Sequence, residues 1–245
     1  MDDARQNILI NPYAPQPAQS IRLRDIALLL VGGLIIGTVL GVIALAVART
    51  HSKFAEQIIA SSAIYGSSAV GYKWLAQKRG WDTLQARFLS TPPKALLVAA
   101  ASGVGLTVLA SAAESLLRWF GIEVAQLPSL AILPRNAIQL IFGLVLIAII
   151  APLAEELFFR GLLLDWLKDK INVWAAALIL SVLFALLHNN GFKLGAVGAL
   201  AFGVRMALGL VSSAFAIRYR SLRPSFVLHA TVNGIGCVLS VLNSP

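Results

Sequence analysis

Charge is scarce in this sequence: Asp, Glu, Lys and Arg together make up 13% of its 245 residues, against 58% hydrophobic. A soluble domain carries roughly a quarter of its residues charged, so a soluble globular fold is excluded and the chain reads as an integral membrane protein. Cysteine is almost absent. Cys237 stands alone, which excludes an internal disulfide and a cysteine-rich metal site. The opening stretch lacks an apolar run and instead holds Pro12, Pro15 and Pro17, so no signal peptide is expected and residues 1–21 are read as a disordered cytosolic tail. No fixed-period repeat or low-complexity tract is evident. Acidic residues are outnumbered, giving a net charge of +9. The basic residues fall in short clusters between apolar runs rather than on one face of a soluble module, so no nucleic-acid partner is expected.

Long apolar runs are what is there. A helix needs about 20 apolar residues to cross a bilayer. That rule selects 26–47, 95–117, 137–167, 173–188, 194–217 and 225–242, with a weaker, Ser- and Gly-rich run at 58–76. They are too long for strands and do not alternate. The expected fold is therefore all-α, a polytopic bundle of about seven transmembrane helices, with N-terminal helices over 22–136 and a second unit over 137–245. Positive residues accumulate on the cytoplasmic side, and fourteen of the twenty Lys and Arg lie in alternate segments: the tail, Lys73 to Lys94, Arg160 to Lys170, and Arg218 to Arg223. The N-terminus is expected in the cytoplasm, with the lipid bilayer as the first partner.

Inside the run at 137–167 lie Glu155, Glu156 and Arg160. An ionised side chain at a helix centre costs roughly 2.5 to 3.5 kcal/mol on insertion scales, so two adjacent carboxylates need compensation. Pro152, one turn earlier, removes a backbone hydrogen bond and is expected to kink the helix and open a polar cavity there. Counting from the turn at 168–171, Glu155 lies about 18 Å deep on one helix and His188 about 24 Å deep on the next, so the two can meet across a hairpin. His229 and Asn233, four apart, share one face of the last helix. Glu155, His188, His229 and Asn233 can thus converge. Glu156 and Arg160, also four apart, are expected to pair and hold Glu155 in place; the plainer reading is a solvated salt bridge. His188 could merely cap its helix, Phe159 and Phe184 read as packing residues, and His51 lies in a loop. Arg205, mid-span, is expected to pair with Glu114 or Glu156 or to line the cavity.

These residues carry a resemblance. Glu155-Glu156-Leu157-Phe158-Phe159-Arg160 resembles the Glu-Glu-x-x-x-Arg motif of the CAAX prenyl protease and bacteriocin-processing family of intramembrane proteases. Phe184 to His188 matches its Phe-x-x-x-His motif, and His229 to Asn233 its His-x-x-x-Asn motif. The three stand in the family's order over about 137–242. The resemblance implies that 137–245 is a protease core and that the chain hydrolyses a peptide bond near the cytosolic membrane face. Glu155 would then be the base that activates water, His188 would help to hold it, and His229 and Asn233 would stabilise the oxyanion, with Glu156 and Arg160 in support. The implied partner is a peptide or membrane-protein substrate, and a prokaryotic plasma membrane is the expected location. The alternative is a non-catalytic membrane scaffold or bacteriocin self-immunity protein of the same fold. No cofactor is expected; zinc on Glu155, His188 and His229 is the alternative. Rhomboid-type Gly-x-Ser-Gly, presenilin-type Gly-x-Gly-Asp and His-Glu-x-x-His motifs are missing.

Overall fold

The computed structural model describes residues 21–50, 52–80, 88, 91–122, 134–188 and 195–243. Residues 1–20 of the expected tail over 1–21, and His51, lie outside them. Among the described residues every regular element is a helix: α1 (Leu23–Ala48), α2 (Lys53–Arg79), α3 (Pro93–Trp119), α4 (Ala137–Lys168), α5 (Val173–Leu187), α6 (Ala196–Tyr219) and α7 (Arg223–Leu242). Five of these, α1, α3, α4, α6 and α7, are long and apolar enough to cross a membrane. The Ser- and Gly-rich stretch expected over 58–76 is a helix throughout, longer than its apolar centre. The helix expected over 173–188 has 15 residues, which at 1.5 Å per residue is about 22 Å, short of a full crossing.

Local chemistry sets the ends. Ser52, Asn136 and Asn172 accept backbone N–H groups at the starts of α2, α4 and α5. Pro93 and Pro224 sit in the first turns of α3 and α7, where a missing N–H costs nothing. Gly80, at φ 66°, ends α2 in the left-handed conformation that a side chain would strain.

A bilayer offers no hydrophobic drive between helices, so close packing through small residues replaces it. Gly37 of α1 lies so near α2 that an added Cβ would stand 2.5 Å from the Ile64 Cα. Gly33 beside it accepts the Ser67 hydroxyl at 2.7 Å. At the other end of this hairpin the fully buried Asp25 pairs with Arg79 at 2.7 Å. Gly103 admits α7 to α3 at Leu228 and Thr231, and Gly209 admits α5 to α6 at Ser181. The faces left over are apolar and open, as at Ile35, Val42, Val108, Ile138 and Ile141. That surface suits hydrocarbon rather than water, and the protein is an integral membrane protein.

Helix α4 is not uniform. It runs as α-helix, then π-helix over Leu144–Ile150, α-helix over Ala151–Glu156, π-helix over Leu157–Leu163, and a last α-helical turn. The single regular turn between the two wide stretches carries Pro152, Glu155 and Glu156. Such π segments mark functional positions in helices, and with Pro152 they are the source of the irregularity.

Candidate active site

Glu155 and Glu156 are neighbours on an α-helical turn, so their side chains leave the axis about 100° apart. One faces a partly open space and the other the closed interior. The Glu155 side chain keeps 16% exposure and that of Glu156 none.

Around Glu155, three helices converge. Its Oε2 stands 3.5 Å from His188 Nε2 at the end of α5 and 3.6 Å from His229 Nε2 on α7. Its Oε1 accepts the Tyr65 hydroxyl of α2 at 3.2 Å. Glu156 is held differently. Its Oε1 accepts from Arg160 Nη1 at 3.1 Å and from His229 Nδ1 at 2.9 Å. Arg160 spends a second nitrogen, Nη2, on the Gly209 carbonyl at 2.9 Å and lies over the rings of Phe159 and Phe184. The expected Glu156–Arg160 pair therefore exists, but as a buried brace rather than a solvated bridge.

These partners fix the tautomers. A carbonyl oxygen only accepts, so the 2.8 Å contact between His188 Nδ1 and the Phe184 carbonyl places a hydrogen on Nδ1. Glu156, already accepting from a guanidinium, requires the same of His229 Nδ1. In the neutral ring, each Nε2 is then an acceptor, and both are turned to the same oxygen of Glu155. Three acceptor atoms that close need a shared proton or a bridging water between them. Either one would satisfy all three atoms. Phe184 lies tilted against His188 at 4.2 Å between centroids and meets His229 edge-on at 5.6 Å, so the packing residue expected there is also the wall that keeps the imidazoles in place.

Asn233 shares the His229 face of α7 and donates from Nδ2 to the Ile147 carbonyl of α4 at 2.9 Å. Its second amide hydrogen is left for other work. Arg205 of α6 lies within electrostatic reach of His188. Of the sequence-derived residues, Glu155, Glu156, Arg160, His188 and His229 form one cluster, and Asn233 is tied to the same helix. Tyr65 was missed. It lies in the weakest apolar run, in no motif, ninety residues before its partner; a tyrosine flanked by the small residues Ala60 to Ala63 and Gly66 to Ala69 was the available signal.

Among the described residues, no group of three or more His, Cys, Asp or Glu side chains is arranged to hold a metal ion.

Fold and cluster together define a class: a polytopic helical membrane protein that buries a Glu–His–His centre among its spans. Residues 137–235 match the family described as type II CAAX prenyl endopeptidase Rce1-like. That stretch is thus similar to the family whose three motifs the sequence resembles, and every motif residue falls within it. A second similarity is to an uncharacterized 24.3 kDa protein of Escherichia coli, 32% identical over 100 residues, which cover 40% of this chain and 44% of that protein. The chain thus spans less than half of that relative. No solved structure matches it.

Proposed function

We propose that the protein is an intramembrane endopeptidase that hydrolyses a peptide bond near the cytosolic membrane face with Glu155 as general base. The observation that carries this reading is the convergence of two imidazole Nε2 atoms on one carboxylate oxygen, each imidazole fixed from behind by an acceptor on its Nδ1. A water in that space donates to Glu155 and is held by His188. Glu155 takes one proton as the water oxygen attacks the scissile carbonyl carbon. The carbonyl π pair moves onto oxygen, and the tetrahedral oxyanion accepts from Asn233 Nδ2–H and from His229. With Nδ1–H committed to Glu156, His229 donates from Nε2 only as imidazolium. Collapse of the intermediate expels the amine, which takes the proton from Glu155, leaving a carboxyl and an amino terminus.

Substrate is supplied from the membrane or its cytosolic surface as a peptide or a membrane-protein tail. Membranes from cells with the wild-type protein are compared by terminal proteomics with membranes from cells carrying Glu155→Ala. The expected result is a new cleavage product present only with wild type. Full proteolytic activity of purified Glu155→Ala or His188→Ala would sink the reading, and so would complementation of a deletion phenotype by Glu155→Ala, which belongs to a non-catalytic scaffold. Activity measured with and without a chelator decides metal dependence separately.

A further inference from the structure

Tyr65 belongs to neither the three motifs nor the stretch that matches the protease family, yet its hydroxyl touches the carboxylate at the centre of the site. We infer that Tyr65 is a positioning residue for Glu155, delivered by the α1–α2 hairpin: it holds Oε1 so that Oε2 stays turned to His188 and His229. This inference rests on the reading of Glu155 as the base.

A glutamate side chain has three rotatable bonds, and the last of these is soft. Two imidazoles on Oε2, each an acceptor in its neutral form, do not by themselves fix the carboxylate plane. A hydroxyl donor on Oε1, here at 3.2 Å, does, because an O–H···O bond to a carboxylate is directional. Tyrosine suits the task, since its ring is rigid and α2 sets where the hydroxyl arrives.

That arrival depends on α1. Helix α2 is the element of the hairpin that packs on α4, and α1 packs chiefly on α2. Gly37 of α1 abuts the backbone of Ile64, the residue next to Tyr65, so any side chain at 37 pushes this part of α2 aside. The Ser67 hydroxyl on the Gly33 carbonyl locks the same level of the hairpin. The Asp25–Arg79 pair fixes the end of the hairpin further from Tyr65 in the chain. The N-terminal helices, which resemble the family only in being hydrophobic, thereby complete its centre.

The test measures steady-state rates of purified full-length protein in detergent, on an internally quenched peptide built around the site mapped by the membrane comparison. Tyr65→Phe keeps the ring and removes the donor. We expect kcat to fall about 10- to 100-fold, the range for losing one hydrogen bond to a charged group, with KM and the thermal unfolding midpoint unchanged. Gly37→Ala should lower kcat in the same way, and in the Tyr65→Phe background it should lower it no further, because the contact it displaces is already gone. Wild-type kcat in Tyr65→Phe, or multiplied losses in the double variant, overturns the inference. If Gly37→Ala does not fold, Tyr65→Phe decides alone. Glu155→Ala in the same assay separates the two levels. An inactive Glu155→Ala beside an unimpaired Tyr65→Phe sinks the inference only, whereas an active Glu155→Ala sinks both.

Discussion

Asn233 repairs the damage that Pro152 does. In the π-helical stretch, the Ala151 N–H bonds the Leu146 carbonyl, five residues back. The same register would send the next N–H, at position 152, to Ile147, and proline has none. The Asn233 amide of α7 supplies the missing donor at 2.9 Å. A carbonyl left bare in hydrocarbon is costly, and a neighbouring helix is where such a group finds its partner.

Removing that donor should therefore cost stability. Asn233→Ala is expected to destabilise the protein by about 1 to 3 kcal/mol, the penalty for a stranded buried acceptor. Pro152→Ala returns an N–H at position 152 and should shrink the Asn233→Ala penalty in the double variant. Thermal unfolding of the four proteins in detergent measures the coupling, and additive losses would contradict the pairing. Activity should not recover in the double variant, because the proposed oxyanion contact is still missing.

The two adjacent carboxylates should separate cleanly by assay. Glu155 is partly open and meets acceptor nitrogens and a hydroxyl, so Glu155→Gln is expected to remove at least about 10²-fold of activity while leaving the unfolding midpoint near wild type. His229 touches both carboxylates, so His229→Ala should lose activity and stability together. A Glu155→Gln protein that unfolds much earlier than wild type would show that the residue is a structural group.

Glu156 is the group whose loss of a partner should be felt in stability. Arg160→Met leaves a fully buried carboxylate with His229 alone, and breaking such a pair costs about 3 to 5 kcal/mol. Glu156→Gln combined with Arg160→Met removes both charges and should be less damaging than Arg160→Met by itself. Denaturant or thermal midpoints check the order of the three variants; a double variant weaker than Arg160→Met would overturn the account.

The sequence made the motif residues and the helices legible for one physical reason: charge inside an apolar run is expensive, so each survivor points to a partner. Depth counting along a hairpin brought Glu155 to His188, and they lie 3.5 Å apart. Spacing of four brought Glu156 to Arg160 but could not say that both are buried, because burial depends on which face of α4 meets α6 and α7. The double attachment of His229, the carbonyl under Asn233 and the hydroxyl of Tyr65 were not legible. Each links residues 73 to 90 positions apart through side-chain direction, which no local period encodes. The π stretches of α4 were equally silent, since the Leu, Val and Ile of 144–150 and the Leu and Phe of 157–163 suit any helix.

Orientation in the membrane decides which compartment supplies the substrate. Glu155 lies thirteen residues before Lys168, about 20 Å along the helix, and eighteen after Ala137, about 27 Å, so the centre is nearer the end of α4 that carries Lys168 and Lys170. If that end is cytoplasmic, as expected from the clustering of positive residues there, the cavity is reached from inside. A single cysteine placed at Lys170 in a Cys237→Ser background should then resist a membrane-impermeant maleimide in intact cells and react after permeabilisation. A cysteine at Trp119, exposed at the other end of α3, should react in intact cells. The reverse pattern would place the Lys170 end outside, and the proposed peptidase would then act on segments presented at the outer face.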